Sequence, residues 1–465
     1  MTTQATDSIG SPPQSPSQSE SPVLFGEETH TSNAMTSGKP VPRAQSSLYR
    51  VFWRWHFYAG ILVGPVLFVV AVTGALYIFK DELERVIYAD TMFITPQAGT
   101  VPLDLQVAVV AKTYPDWRVD TVEVDADPTR ATSIRIRDRS SRSQRIYINP
   151  HTGTIQGAIG DNSVFRVILA IHRRLFIGTT GRILVEVVTC WTIILLVTGV
   201  YLWSPRRRKK LKGVFLPRLR AKPYTVLRDL HAISGAVLMP LALVIAGTGL
   251  IYTWGWGTLY RSATVATEGT TEEHTTVSPP GAPPLSLDRA VAITRAYSPA
   301  ASFIDVQIPA APDAPLIARA RIGERTGPRN RTVLTLDRST GEVLAMKTSD
   351  QFPLLSWWRT TWNYPLHVGS VLGTPTKILW LIVCLVLALL PVTGLCMWWQ
   401  RRPDGQTGLP RRPERRVPWW LMSIMGFLSL LLPAVGATIL LIWLGERVIR
   451  RLRAWRTAAG RPQSA

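Results

Sequence analysis

The sequence predicts a multi-pass α-helical membrane protein: four core helices, a fifth hydrophobic segment, and two extracytoplasmic α+β modules related by internal duplication. Three observations predict it. Five runs of at least 18 residues with almost no charge begin near Val51, Ile183, Ile233, Ile378 and Pro418, each long enough to cross a bilayer. Basic residues crowd beside the ends of those runs. Two sets of residues recur at identical spacing in the two halves of the chain.

The charge is local. Of the formal +21, a share of +18 sits in residues 204–222, 400–417 and 445–465, beside helix ends, where Lys and Arg set topology and meet anionic lipid. The expected partner is therefore the lipid bilayer and not nucleic acid. Cys190, Cys384 and Cys396 all fall within hydrophobic runs, so no disulfide or thiolate zinc framework is available.

Taken in order, residues 1–47 are rich in Ser, Pro and Thr and predict a disordered cytoplasmic tail, not a cleavable signal peptide. A first transmembrane helix is predicted over 48–80 and an outer module over 81–163. A second span follows over 164–204, a basic cytoplasmic loop over 205–228, and a third span over 229–256. The second module occupies 257–355, the fourth span 356–400, and a cytoplasmic loop 401–417. Residues 418–445 form the fifth hydrophobic segment and 446–465 a basic tail. As a single span, the fifth segment would leave that tail outside; Pro433 and Gly436 offer a re-entrant hairpin instead. Both routes stay open on sequence.

The repeat is gap-free. From His56, Gly60, Pro65, Thr73-Gly74 and Tyr77 stand at the offsets that Gly235, Pro240, Thr248-Gly249 and Tyr252 occupy from His231. From His172, Gly178, Arg182, Thr198-Gly199 and Trp203 match Gly373, Lys377, Thr393-Gly394 and Trp398 counted from His367. Within the modules, Ser133–Arg137, Arg145–Ile148 and Arg331–Leu336 alternate as strands, and turns end at Gly153 and Gly341.

Of seven histidines, four are repeat-matched: His56, His172, His231 and His367. Each begins a helical segment, and neutral imidazole at the edge of a low-dielectric layer is a ready axial ligand for haem iron. The offsets predict two bis-histidine sites, His56 with His231 near the cytoplasmic face and His172 with His367 near the outer face. Gly74 and Gly249 are expected to clear space at the outer site, and Gly199 and Gly394 at the inner one. Two b-type haems follow as the expected cofactors. Arg173, Arg174 and Arg182 are candidates for pairing haem propionates or for anchoring lipid. Trp357, Trp358 and Trp362 form an aromatic cluster before His367.

These pieces resemble the PepSY-associated transmembrane-helix family of bacterial inner-membrane proteins. The resemblance rests on Arg54-Trp55-His56 through Thr73-Gly74, His172-Arg173-Arg174-Leu175 through Trp203, Leu230-His231 through Thr248-Gly249, and Leu366-His367 through Gly394. The segments ending at Gly153 and Gly341 look like the ends of two PepSY modules. The basic loops after the second and fourth spans place the N-terminus in the cytoplasm; the resemblance implies an inner-membrane location, a link to iron acquisition, and similarity to siderophore-iron reductases whose haems are held by these histidines. A ferric siderophore is then the expected substrate.

Without a Gly-rich dinucleotide fingerprint after any strand, the electron donor is expected to be separate, a quinol or a flavoprotein. A rival reading is a non-enzymatic membrane protein whose modules bind or inhibit a partner such as a peptidase. A transporter is the weakest reading, because the helices are expected to lack the buried carboxylates of proton-coupled carriers.

Overall fold

A computed structural model describes residues 47–160, 163–204, 212–268, 281–311, 314–325, 327–328, 330–406, 408–409 and 419–459. The tail assigned to 1–47, save for Ser47, lies outside the described residues, as do His30, His274, much of the basic loops and the last residues of the basic tail.

The first half runs through α1 (Ser47–Ile78), α2 (Lys80–Ile87), α3 (Leu103–Thr113), β1 (Arg118–Asp125), β2 (Thr132–Arg137), β3 (Ser143–Ile148), β4 (Ile155–Ile159), α4 (Val164–Arg174) and α5 (Gly178–Trp203). Then come α6 (Pro223–Leu250), α7 (Gly255–Glu268), α8 (Leu287–Tyr297), β5 (Phe303–Gln307), β6 (Leu316–Ile322), β7 (Asn330–Leu336), β8 (Val343–Thr348), α9 (Asn363–Val368) and α10 (Thr374–Arg401). Two further helices, α11 (Trp419–Leu431) and α12 (Pro433–Ala459), close the chain.

Helices α1, α5, α6 and α10 are the four that are long and apolar enough to cross a membrane. They form a ring in which each packs against two neighbours, α1 between α5 and α10, α6 between the same two. Ala71, Leu196, Ala242, Val383 and Leu387 meet at its centre, one or two from each helix. Small residues let the backbones approach: a Cβ on Gly64 would stand 2.8 Å from Pro391 Cβ, so α1 and α10 touch where glycine is required.

Both strand sets leave the same end of the bundle, and here the structure differs from two separate modules. The eight strands form one antiparallel sheet in the order β4-β3-β2-β1-β5-β6-β7-β8, with β1 paired to β5 from Thr121↔Gln307 to Asp125↔Phe303. The physical reason is edge satisfaction: alone, each four-stranded meander would expose β1 or β5 with unpaired N–H and C=O groups. One apolar core spans both halves on one face, with Ile134, Ile136, Ile146, Ile304, Val306 and Leu334 under α3 and α8. Those two helices also cap each other. Asp288 accepts from Leu103 N at 2.8 Å, and Asp104 accepts from Leu287 N at 3.1 Å, each carboxylate serving the helix of the opposite half.

Two predicted spans divide. The segment 164–204 breaks after Arg174, where Leu175 and Phe176 adopt φ of +49° and +60°, and α5 starts only at Gly178. The segment 356–400 breaks at Gly369, with φ +73°; its first part contains a π-helical turn over Trp358–Trp362. Left-handed residues after a helix let the chain reverse direction, which neither hydropathy nor length reveals. The fifth hydrophobic segment also divides, at Leu432. A Cβ on Gly436 would lie 2.9 Å from Ser429 Cβ, a proximity that residues seven apart in one straight helix do not have, so α11 and α12 fold against each other as a hairpin. Its tip meets α7 where Trp256 Nε1 donates to Leu431 O at 3.0 Å.

Candidate functional site: two facing histidine pairs

Two of the four repeat-matched histidines lie on core helices, His56 on α1 and His231 on α6, at the bundle end away from the sheet. Their ring centres are 6.3 Å apart with planes at 82°. The other two lie on the short helices at the sheet end, His172 on α4 and His367 on α9, with ring centres 6.2 Å apart and planes at 56°. The structure thus brings together His56 with His231 and His172 with His367.

Each imidazole is held by its Nδ1. His56 Nδ1 faces Thr198 Oγ1 at 3.0 Å, and His231 Nδ1 faces Thr393 Oγ1 at 2.9 Å. His172 Nδ1 faces the Val70 carbonyl at 2.9 Å and Thr73 Oγ1 at 3.3 Å; His367 Nδ1 faces the Ile245 carbonyl at 3.1 Å and Thr248 Oγ1 at 3.2 Å. A carbonyl only accepts, so Nδ1 carries the proton in the second pair. The same follows for the first pair. Thr198 and Thr393 spend their hydroxyl protons on the carbonyls of Ile194 and Leu389, so their oxygens accept from Nδ1–H. In all four rings Nε2 is left as the unprotonated nitrogen, the tautomer a metal requires.

The glycines face these rings. The nearest atom to a Cβ built on Gly74 is His172 Cε1 at 3.1 Å, on Gly249 His367 Cε1 at 3.0 Å, on Gly199 His56 Cε1 at 3.2 Å, and on Gly394 His231 Cε1 at 3.7 Å. Each glycine keeps space for the imidazole beside it. The Thr-Gly pairs work together: threonine accepts from Nδ1 while glycine lets the ring lie close to the helix that bears both.

The separation of the two pairs follows from α1. His172 is anchored on Val70, fourteen residues beyond His56, which is about 21 Å along the helix axis. At the sheet end, Tyr252 lies 5.5 Å from the His367 ring, and the Arg173 guanidinium sits 5.7 Å from the Tyr252 ring centre. Arg173 and Arg182 turn inward, donating to the Tyr252 carbonyl at 3.5 and 3.3 Å, and Arg182 reaches Thr253 O at 3.0 Å. Both brace the end of α6. Trp357 and Trp362 meet edge to face at 6.4 Å.

Sequence reasoning missed two buried carboxylates in the helices. Glu186 accepts from Gly255 N and Trp256 N at 2.7 and 3.0 Å, capping α7, and Asp229 accepts from Arg218 and Arg228 at 2.7 Å each. The expectation that the helices lack buried carboxylates is therefore wrong. A polar residue inside an apolar run reveals a partner only once the partner's position is known.

Among the described residues no group of three or more His, Cys, Asp or Glu side chains is placed to hold a bare metal ion. Each facing pair offers two nitrogens.

Comparison with known proteins places the chain. The family model of the PepSY-associated TM region matches residues 53–401, which include all four histidines and all four Thr-Gly pairs. No match was found among curated proteins. Among solved structures, the crystal structure of a "putative lipoprotein" from Clostridium difficile 630 is 8% identical, covering 55% of this chain and 99% of that chain, at a TM-score of 0.23.

Proposed function

This chain belongs to the family of the PepSY-associated TM region, and we propose that it is a haem-containing reductase of the bacterial inner membrane that moves electrons from the cytoplasmic side to a ferric chelate, a siderophore complex, outside. One observation carries the reading. Two imidazoles bound through Nε2 to opposite sides of one metal, with bonds of about 2.0 Å and about 1.15 Å from nitrogen to ring centre, have their centres about 6.3 Å apart. The pairs stand at 6.3 and 6.2 Å. Two protein ligands, with no third among the described residues, suit a metal whose other four ligands come from a macrocycle, as in a b-type haem.

In this reading the duplicated unit supplies two sites of the same design. His56 and His231 hold the cytoplasmic haem, and His172 and His367 hold the outer one, with the sheet outside and the N-terminus inside. The resident haem supplies one-electron redox chemistry. The chain's own residues orient the imidazoles through Nδ1, keep Nε2 unprotonated, and hold the two sites within one bundle. Each ferric ion takes one electron from a separate donor, a quinol or a flavoprotein, and leaves as ferrous iron, which hard oxygen ligands grip less tightly.

Vesicles test this. Haem-loaded protein in vesicles with dithionite inside, a ferric chelate outside and a ferrous-specific dye outside will colour the dye, and His172→Ala or His367→Ala will stop it. Equal colour from the variants would overturn the proposal.

A further inference from the structure

The sheet face opposite the apolar core carries the charged residues of alternate strand positions, and the two halves treat a common motif differently. In the second half Arg319 and Arg321 donate to Asp305 at 3.1 and 3.0 Å, and Arg319 also donates to Gln307 at 2.7 Å. Each guanidinium has a short-range acceptor. In the first half Arg118, Arg135 and Arg137 share Asp120 at 3.6, 3.9 and 3.7 Å, all beyond hydrogen-bond reach.

Two more arginines join them. Arg135, Arg137, Arg145 and Arg166 line a cleft of about 280 Å³ with Ser143 and Gln144. A second carboxylate is near, but Glu123 lies 3.8 Å from Arg145 and accepts from Arg325 at 2.8 Å. Four guanidiniums, those of Arg118, Arg135, Arg137 and Arg145, thus face Asp120 and Glu123, the latter already held by Arg325, while Arg166 donates to Ser143 Oγ at 3.1 Å. Burial first, and then the neighbouring Arg145 charge, push the Arg135 pKa down. Arg137 Nε is buried with no hydrogen-bond acceptor among the described residues.

The cleft continues along the sheet to α4. Through Arg145 and Arg166 it adjoins a cavity of about 310 Å³ that reaches Ser163 and Leu169. Ser163 Oγ is buried without a partner among the described residues, and Leu169 stands one helical turn before His172 on α4.

We propose that this cleft binds a polyanionic ferric chelate, one bearing free carboxylates, on Arg135, Arg137, Arg145 and Arg166. The inference deepens the reductase reading and rests on it for the role of the bound iron. Guanidinium forks match carboxylates two bonds at a time, and the unmatched charge of the first half selects against neutral or cationic complexes. In the second half Arg319 and Arg321 already spend their donors on Asp305 and Gln307 at hydrogen-bond distance.

Gallium(III) citrate is a redox-inert probe of this site, so binding is read independently of haem and of reduction. Titration calorimetry on the full chain in phosphatidylcholine nanodiscs is expected to show saturable binding. Arg135→Gln/Arg137→Gln weakens it at least about tenfold, the loss expected when charge-assisted hydrogen bonds are removed. Arg166→Gln, a change on α4 and not on the sheet, weakens it likewise, whereas Lys112→Gln on α3 leaves it unchanged. Wild-type affinity in both arginine variants overturns the proposal. So does displacement of the probe by short-chain phosphatidylglycerol or inorganic phosphate at lower concentration than by citrate, which assigns the arginines to lipid phosphate. Absence of haem would sink the reductase reading while leaving this binding result standing.

Discussion

His56 Nδ1 donates to Thr198 Oγ1 across 3.0 Å, joining α1 to α5 and holding the His56 ring with its centre 6.3 Å from that of His231. The other three histidines repeat this with Thr73, Thr248 and Thr393. A threonine thereby fixes the tautomer and the orientation of each imidazole.

Replacing Thr198 or Thr393 with valine keeps the shape and removes the acceptor. The expected result is about tenfold weaker haem retention at the far pair, the lower end for loss of a ligand-orienting hydrogen bond, with the sheet-side pair unaffected. Haem titration into apo-protein, followed by absorbance, checks it.

The glycines give a graded series. Alanine at Gly249 or Gly74 puts a Cβ 3.0 or 3.1 Å from a histidine Cε1, which forces the ring aside at a cost of about 1–3 kcal/mol. At Gly394 the distance is 3.7 Å, ordinary contact. Gly249→Ala and Gly74→Ala are expected to lose the sheet-side haem, and Gly394→Ala to keep the far one; haem stoichiometry separates them.

The histidine pairs were legible in the sequence because a helix converts a spacing into a depth, so four matched offsets imply two layers. What escaped was every relation across elements with no sequence period. The swapped caps Asp104 and Asp288, the β1–β5 junction and the threonine acceptors each depend on which faces meet. A Thr before a Gly reads equally as a packing device. The break at Pro433 was legible as one of two routes, since proline announces a break but not the direction taken afterward.

Acid should loosen the sheet domain. Burial opposes ionisation of Glu123, but the charges of Arg145 and Arg325 outweigh it and hold its pKa below the usual carboxylate range. Its folded pKa is depressed, so its stabilisation is fully present above the unfolded value of about 4.3 and is lost as pH falls through the folded value. Glu123→Gln is expected to flatten that part of the stability–pH profile, measured by thermal melting between pH 6 and pH 3.

The swapped caps predict coupling between the halves. Asp104→Ala and Asp288→Ala should each cost about 1 kcal/mol of sheet-domain stability, as lost helix caps do. Both lie within one core, so the double variant is expected to depart from additivity, which a double-mutant cycle of unfolding midpoints reads.

The most direct measurement is haem per chain by pyridine haemochrome in the four single His→Ala variants. The account predicts two haems in the unaltered protein and one in each variant, with His56→Ala and His231→Ala losing one spectral species and His172→Ala and His367→Ala losing the other. No haem in the unaltered protein, or a loss pattern that couples His56 with His172, would contradict it.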